Sequence, residues 1–218
     1  MTKMTKPETV VTAVKRAQPQ GIAGTLIPSE MIARPLGGHL ALDFCNTAGE
    51  HLARRPDEFL IDWETLLRWA TQVGLIGADS YLQLLRRPEP LNEIILLREA
   101  IYRMGLAIVG ARRLSKADVD FIRDCANAPL PEIEIRGVAG RWCPAPSQSS
   151  RQLCGVLAAE ALSLFCSPKA ARIGVCEGGD CGWLFLDESR GKRRRWCDMN
   201  DCGSRAKARR YYEKHKEQ

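Results

Sequence analysis

Four cysteines fall in two matched pairs near the C-terminal end of the chain, Cys176-x4-Cys181 and Cys197-x4-Cys202. Thiolate is a preferred zinc ligand, and two close pairs joined by a hairpin-length segment can fill the corners of one tetrahedron. Gly178 and Gly179 lie inside the first pair, where a permissive backbone lets both sulfurs face the same ion. One structural zinc is therefore the expected cofactor. A four-thiolate site has no open coordination position, so hydrolysis at the metal is not expected. The chain also lacks a phosphate-cradling glycine loop, a nucleophile elbow and a His-Glu metal motif. The reading is that of a non-enzyme.

The same segment carries the charge. Between Arg190 and Lys216 eleven Lys and Arg stand against three acids, Asp198, Asp201 and Glu213, a net of +8; the whole chain is +6, so the remainder is −2. A concentrated cationic segment is the footprint of phosphate contact rather than of general solubility. Lys192, Arg193, Arg194 and Arg195 form a run before Cys197, and Arg205, Lys207, Arg209, Arg210 and Lys214 follow Cys202 at helical spacings. These nine are the candidate nucleic-acid-binding residues. Tyr211 and Tyr212, in their midst, are expected to pack on the hairpin through Trp183 or Trp196, the alternative being to stack on a base or hydrogen-bond a phosphate.

A zinc module needs elements that hold its ligands. Trp183 to Leu186 reads as an apolar strand and Asp187 to Gly191 as a turn, with Lys192 to Trp196 as the returning strand or loop. Ala206 to His215 contains strong helix formers and no breaker. Knuckle, hairpin and helix make a treble-clef-like arrangement. Zinc binding supplies roughly 10–16 kcal/mol in comparable peptides. Metal removal is therefore expected to unfold this module and leave the upstream part folded.

Upstream, residues 1–34 are rich in Thr, Lys, Pro, Gln and Gly and read as a flexible lead-in. Leu40, Leu42 and Phe44 alternate as in a strand, although a helical turn fits the same run. His39 and Asp43 would share one side of that strand, with Asn46 beyond; they are either the polar lining of an effector pocket or backbone-binding residues at a junction. Asp57 to Val73 reads as a helix with Asp62 able to cap it and Gly74 at its end. Leu91 to Val109 is a longer helix, and Ser115-x-x-Asp118 opens a third. Glu132 to Arg136 and Arg141 to Cys143 suggest a hairpin, and Ser147 to Phe165 a further helix, followed by a turn at Ser167-Pro168. Trp63 and Trp69 are expected in the core and His51 and His215 on the surface. Cys45, Cys125, Cys143, Cys154 and Cys166 have no pair spacing and read as small buried hydrophobes. The fold class is mainly α: a helical domain over 35–170 with a small β element, then the zinc finger over 171–218.

Nine cysteines, an odd number, follow a lysine-bearing N-terminus without an apolar signal core. The expected compartment is reducing and cytoplasmic, at the nucleoid, with no membrane partner.

At this point the residues resemble a known family. Cys181-Gly-Trp-Leu-Phe-Leu-Asp187, Arg194-Arg-Trp-Cys197 and Cys202-Gly-x-Arg-Ala-Lys-Ala-Arg-Arg210 are similar to the bacterial CGNR zinc finger. Leu42 to Thr47, and the segment from Asp62-Trp63 to Trp69-Ala70, resemble the ABATE domain that usually precedes it. The resemblance implies a stress-induced transcription regulator with a helical N-terminal domain and a zinc-bound, DNA-binding C-terminal module. Ser204 stands where the family motif has Asn; serine can still accept from a backbone N–H at a helix start. The leading expectation is a DNA-binding regulator whose N-terminal domain senses a small-molecule effector or mediates homodimerisation. The alternatives are an RNA- or ribosome-associated zinc protein, or a small-molecule-binding domain with a purely structural zinc knob.

Overall fold

The computed structural model describes residues 32–128, 136–138, 141–143 and 149–216. The lead-in over 1–31 and the expected strand residues Glu132 to Ile135 lie outside the described residues.

The first element is helical, not extended. Helix α1 (Leu40–Cys45) is capped by His39, whose Nδ1 accepts from the Ala41 N–H, and all six of its residues are buried. A run buried on every side has no polar face, so apolar alternation cannot separate strand from helix there. Strands β1 (Ala48–Gly49) and β2 (Asp57–Glu58) then pair antiparallel. Helix α2 (Trp63–Gln72) therefore starts later than the expected Asp57. Asp62 caps it, accepting from the Thr65 N–H at 2.8 Å, and Gly74 ends it at φ 73°. Helix α3 (Ala78–Leu85) has no counterpart among the expected elements. Its N-cap is Gly77, with no side-chain cap bond to announce it.

Helix α4 (Asn92–Ile108) and helix α5 (Lys116–Ala126) match the expected spans closely, with Ser115 capping the latter through the Asp118 N–H. Strands β3 (Arg136–Val138) and β4 (Arg141–Cys143) form the second hairpin. Helix α6 (Ser150–Phe165) follows, capped by Ser149, and a 3-10 turn spans Pro168–Arg172. Leu42, Phe44, Trp69, Leu97, Ile101 and Leu157 sit at the centre, each 0% exposed. Trp63 is in the core as well, Cys45, Cys125 and Cys154 are buried, and Cys166 is exposed.

The zinc-finger hairpin differs from expectation. Strand β5 (Ile173–Val175), ahead of the first cysteine pair, is the partner of β6 (Leu184–Leu186), in the register Ile173↔Leu186 and Val175↔Leu184. Lys192 to Trp196, expected as a strand or a loop, is an irregular loop. A single π-helical turn (Met199–Gly203) leads into helix α7 (Ser204–Lys216), which has no buried residue.

Ile173, Leu184 and Leu186 belong to the same hydrophobic core as α1, α4 and α6. Gly105, in the last turn of α4, makes room: a Cβ there would lie 2.6 Å from Leu184 Cδ1. Glycine within a helix costs about 1 kcal/mol relative to alanine, and here it admits a buried leucine. The hairpin of the finger is thus part of the upstream core, which crosses the boundary expected near residue 170.

Candidate metal centre

Cys176 follows β5 directly and Cys181 shortly precedes β6, so the first pair closes the tip of that hairpin, tied by the Cys176 N–H to the Trp183 carbonyl at 2.8 Å. Cys197 ends the basic loop and Cys202 lies in the π-helical turn. The four sulfurs lie within 4.8 Å of one another, and all four residues are buried. Cys181 to Cys197 and Cys197 to Cys202 are each 3.7 Å, sulfur to sulfur. A tetrahedron with Zn–S bonds of about 2.3 Å has edges of about 3.8 Å, so the donor set fits zinc. Four thiolates packed this closely repel one another and coexist here only around a cation.

Backbone and side chains orient the sulfurs. The Cys197 N–H and an Arg205 Nη2–H point at Cys176 Sγ and Cys202 Sγ, each at 3.3 Å. Gly178 passes so close that a Cβ would lie 2.7 Å from Cys202 Sγ. Phe185, with the half-buried Trp183 and Trp196, surrounds the cluster. Such donors and apolar walls fix ligand orientation and exclude water.

The nine cationic candidates separate into two groups. Arg194 turns inward. Its guanidinium donates to the carbonyls of Leu36, Leu186, Trp196 and Cys197 and lies 4.4 Å from the centre of the Phe185 ring. That makes it a clamp on the finger, which corrects its expected place on the phosphate-facing surface. Arg195 pairs with Glu177, and Arg205 with Asp201 at 2.9 Å. Lys192, Arg193, Lys207, Arg209, Arg210 and Lys214 are exposed and have no ion-pair partner among the described residues.

Tyr211 and Tyr212 do not pack on the finger. They are 60% and 69% exposed, and Tyr211 stacks on His215 at 4.1 Å. Ser204 donates to the Met199 carbonyl, while the cap is Asp198, which accepts from the Asn200 N–H at the start of the π-helical turn. His51, expected at the surface, is half-buried; it stacks on Tyr102 at 3.8 Å and binds the Cys45 carbonyl.

The three residues named for an effector pocket engage the fold. Asn46 accepts from the Leu184 N–H at 3.0 Å and donates to the Leu184 carbonyl at 2.9 Å. Asp43 accepts from the Gly37 N–H at 2.7 Å, and His39 caps α1 with Nε2 3.7 Å from Glu160. Further bonds seat the first cysteine pair on the helical part: His51 N–H to the Cys181 carbonyl, Leu52 N–H to the Asp180 carbonyl, Tyr102 hydroxyl to the Gly182 carbonyl, and Trp183 Nε1–H to the Ala48 carbonyl. No sequence spacing marks these partners, because each joins segments far apart in the chain. Among the described residues, no helix is long and apolar enough to cross a membrane.

Comparison with known families agrees with this architecture. Residues 38–168 match the ABATE model, described as "Putative stress-induced transcription regulator", and residues 172–215 match the CGNR zinc finger. No curated protein matches the chain. The first match ends and the second begins at the two ends of the 3-10 turn that leads into β5. The chain belongs to the ABATE family and carries a C-terminal CGNR zinc finger.

Proposed function

We propose that this protein is a zinc-dependent, DNA-binding transcription regulator that holds duplex phosphates with α7 and the loop before Cys197. One observation carries the reading. Helix α7 is thirteen residues long, buries none of them, and holds six Lys and Arg against the single acid Glu213. An isolated helix of that length is marginal in water. A helix that buries none of its residues and is cationic along its length suits a polyanion that completes its packing. The zinc serves as scaffold and not as catalyst, because four protein sulfurs fill its coordination sphere. The N-terminal domain then supplies ligand sensing or self-association.

The test measures binding to duplex DNA and to structured RNA across a salt series. Neutralising Lys207, Arg209 and Arg210 to Gln should flatten the log–log salt slope by about 0.9 for each phosphate that is no longer neutralised. Arg194→Lys should instead weaken the fold and metal retention, because an ammonium cannot reach four carbonyls at once. Tighter binding to RNA than to DNA, or a slope unchanged in the triple variant, would overturn the proposal.

A further inference from the structure

A cavity of about 220 Å³ lies at the seam between the helical part and the finger. Gly49, Glu50, Asp57 and Phe59 line it from the first hairpin, and Trp183, Asp201 and Arg205 from the finger. Two aromatic rings therefore contribute to its walls, one from each side of the seam. Phe59 lies over Gly49, where a Cβ would come within 2.8 Å of its ring.

The charges in the lining are unequal in their freedom. Arg205 is engaged by Asp201 and by Cys202 Sγ, and Arg34, at the rim, is engaged by Asp198. Glu50 and Asp57 have no ion-pair partner among the described residues. The sulfurs of Cys181, Cys197 and Cys202 border the same space, and a zinc held by four thiolates retains negative charge. The unmet charge facing this cavity is negative, between aromatic walls that attract a cation.

We infer that the seam cavity binds a small organic ammonium cation with a flat apolar body. The ammonium would sit between the Glu50 and Asp57 carboxylates and the apolar body between Phe59 and Trp183. The volume falls below the roughly 300–1,000 Å³ of drug-sized sites, which sets a ligand of about ten non-hydrogen atoms. Because both sides of the seam contribute walls, occupancy ties the finger to the helical part. This gives the sensing role proposed above a place and a chemistry. Its test involves no DNA, so either reading can fail while the other stands.

Isothermal titration of the zinc-loaded full chain with phenethylamine tests it, with phenylacetate as the anionic counterpart of similar shape. One equivalent of amine should bind with a Kd of about 0.1–1 mM, the range open to so small a ligand. Phenylacetate should give no heat. Glu50→Gln with Asp57→Asn should weaken the amine by about tenfold or more; both side chains are exposed, so an unchanged melting temperature confirms that the variant is folded. Trp183→Phe, which keeps an aromatic wall, should retain most of the affinity. Failure of the amine to bind, equal binding of phenylacetate, or amine binding indifferent to removal of both carboxylates would sink the inference.

Discussion

Asn46 spends both ends of its amide on the backbone of Leu184, 138 positions away. Both residues are 0% exposed, so no water replaces a broken bond. A buried backbone group left without its partner costs about 1–3 kcal/mol. Asn46→Ala leaves two such groups and should lower unfolding stability by about 2–4 kcal/mol, read as a fall in the urea midpoint with an unchanged m-value. A drop below about 1 kcal/mol would mean that the seam relaxes around the gap. Arg194 teaches the complementary lesson. It stands in a run of four cations, and composition alone groups it with Arg193 and Arg195. What separates them is a set of four carbonyls, those of Trp196 and Cys197 close by in the chain, Leu186 across the turn and Leu36 from 158 positions away, and only the folded chain brings all four together.

Between elements, α4 is the beam on which the others lean. Arg103 of α4 grips Asp118 of α5 through both carboxylate oxygens, with Nη2 to Oδ1 at 2.6 Å and Nε to Oδ2 at 2.9 Å. That grip, hydrogen bonding first and charge after, holds the Asp118 carboxyl below its ordinary 3.8. The folded state thus favours the ionised form. The stabilisation is fully present above about pH 3.8, the unfolded value, and is lost as pH falls through the lower folded value. Asp118→Asn should accordingly be less stable than the native chain at neutral pH, with the gap closing below about pH 3.8. Urea midpoints of the two proteins, each measured across that range, decide it; a gap independent of pH would refute the ion-pair account. The capping box anticipated at Ser115 and Asp118 is half realised. Serine caps the helix, whereas the acid serves the neighbouring helix.

Among the described residues the main core of the helical part also takes in Ile173, Leu184 and Leu186 of the zinc-finger hairpin, while a second, smaller cluster surrounds the four cysteines. Metal removal therefore has wider consequences than the unfolding of a separate module. The hairpin tip carries Cys176 and Cys181 at one end and these core residues at the other, so loosening the tip exposes part of the helical domain. Chelation should lower the melting temperature of the entire chain in one cooperative transition, seen together by far-ultraviolet circular dichroism and by tryptophan fluorescence. A helical domain that keeps its native melting temperature after zinc is stripped would contradict the shared core. Truncation before β5 should also leave a destabilised, aggregation-prone fragment, since Gly105 and α1 would be stripped of the leucines that cover them.

How much of this is legible in the sequence follows from the range of each interaction. Local chemistry is readable. Cysteine spacing announces the metal site, Asp62, Ser115 and Ser167 mark helix or turn starts, and Gly74 marks an end, because each acts on backbone within a few residues. The density of motif residues around Cys181, Cys197 and Cys202 likewise places the family from residue order alone. Helix α1, buried on every side, escapes because it leaves no polar–apolar period to read, and α3 escapes because it is short and has no side-chain cap to mark its start. Tertiary structure alone decides which strand pairs with β6, which arginine turns inward, that Tyr211 and Tyr212 face solvent, and that a cavity opens along the seam. Each of those outcomes depends on what a distant segment brings to the same point in space, and residue order carries no term for that.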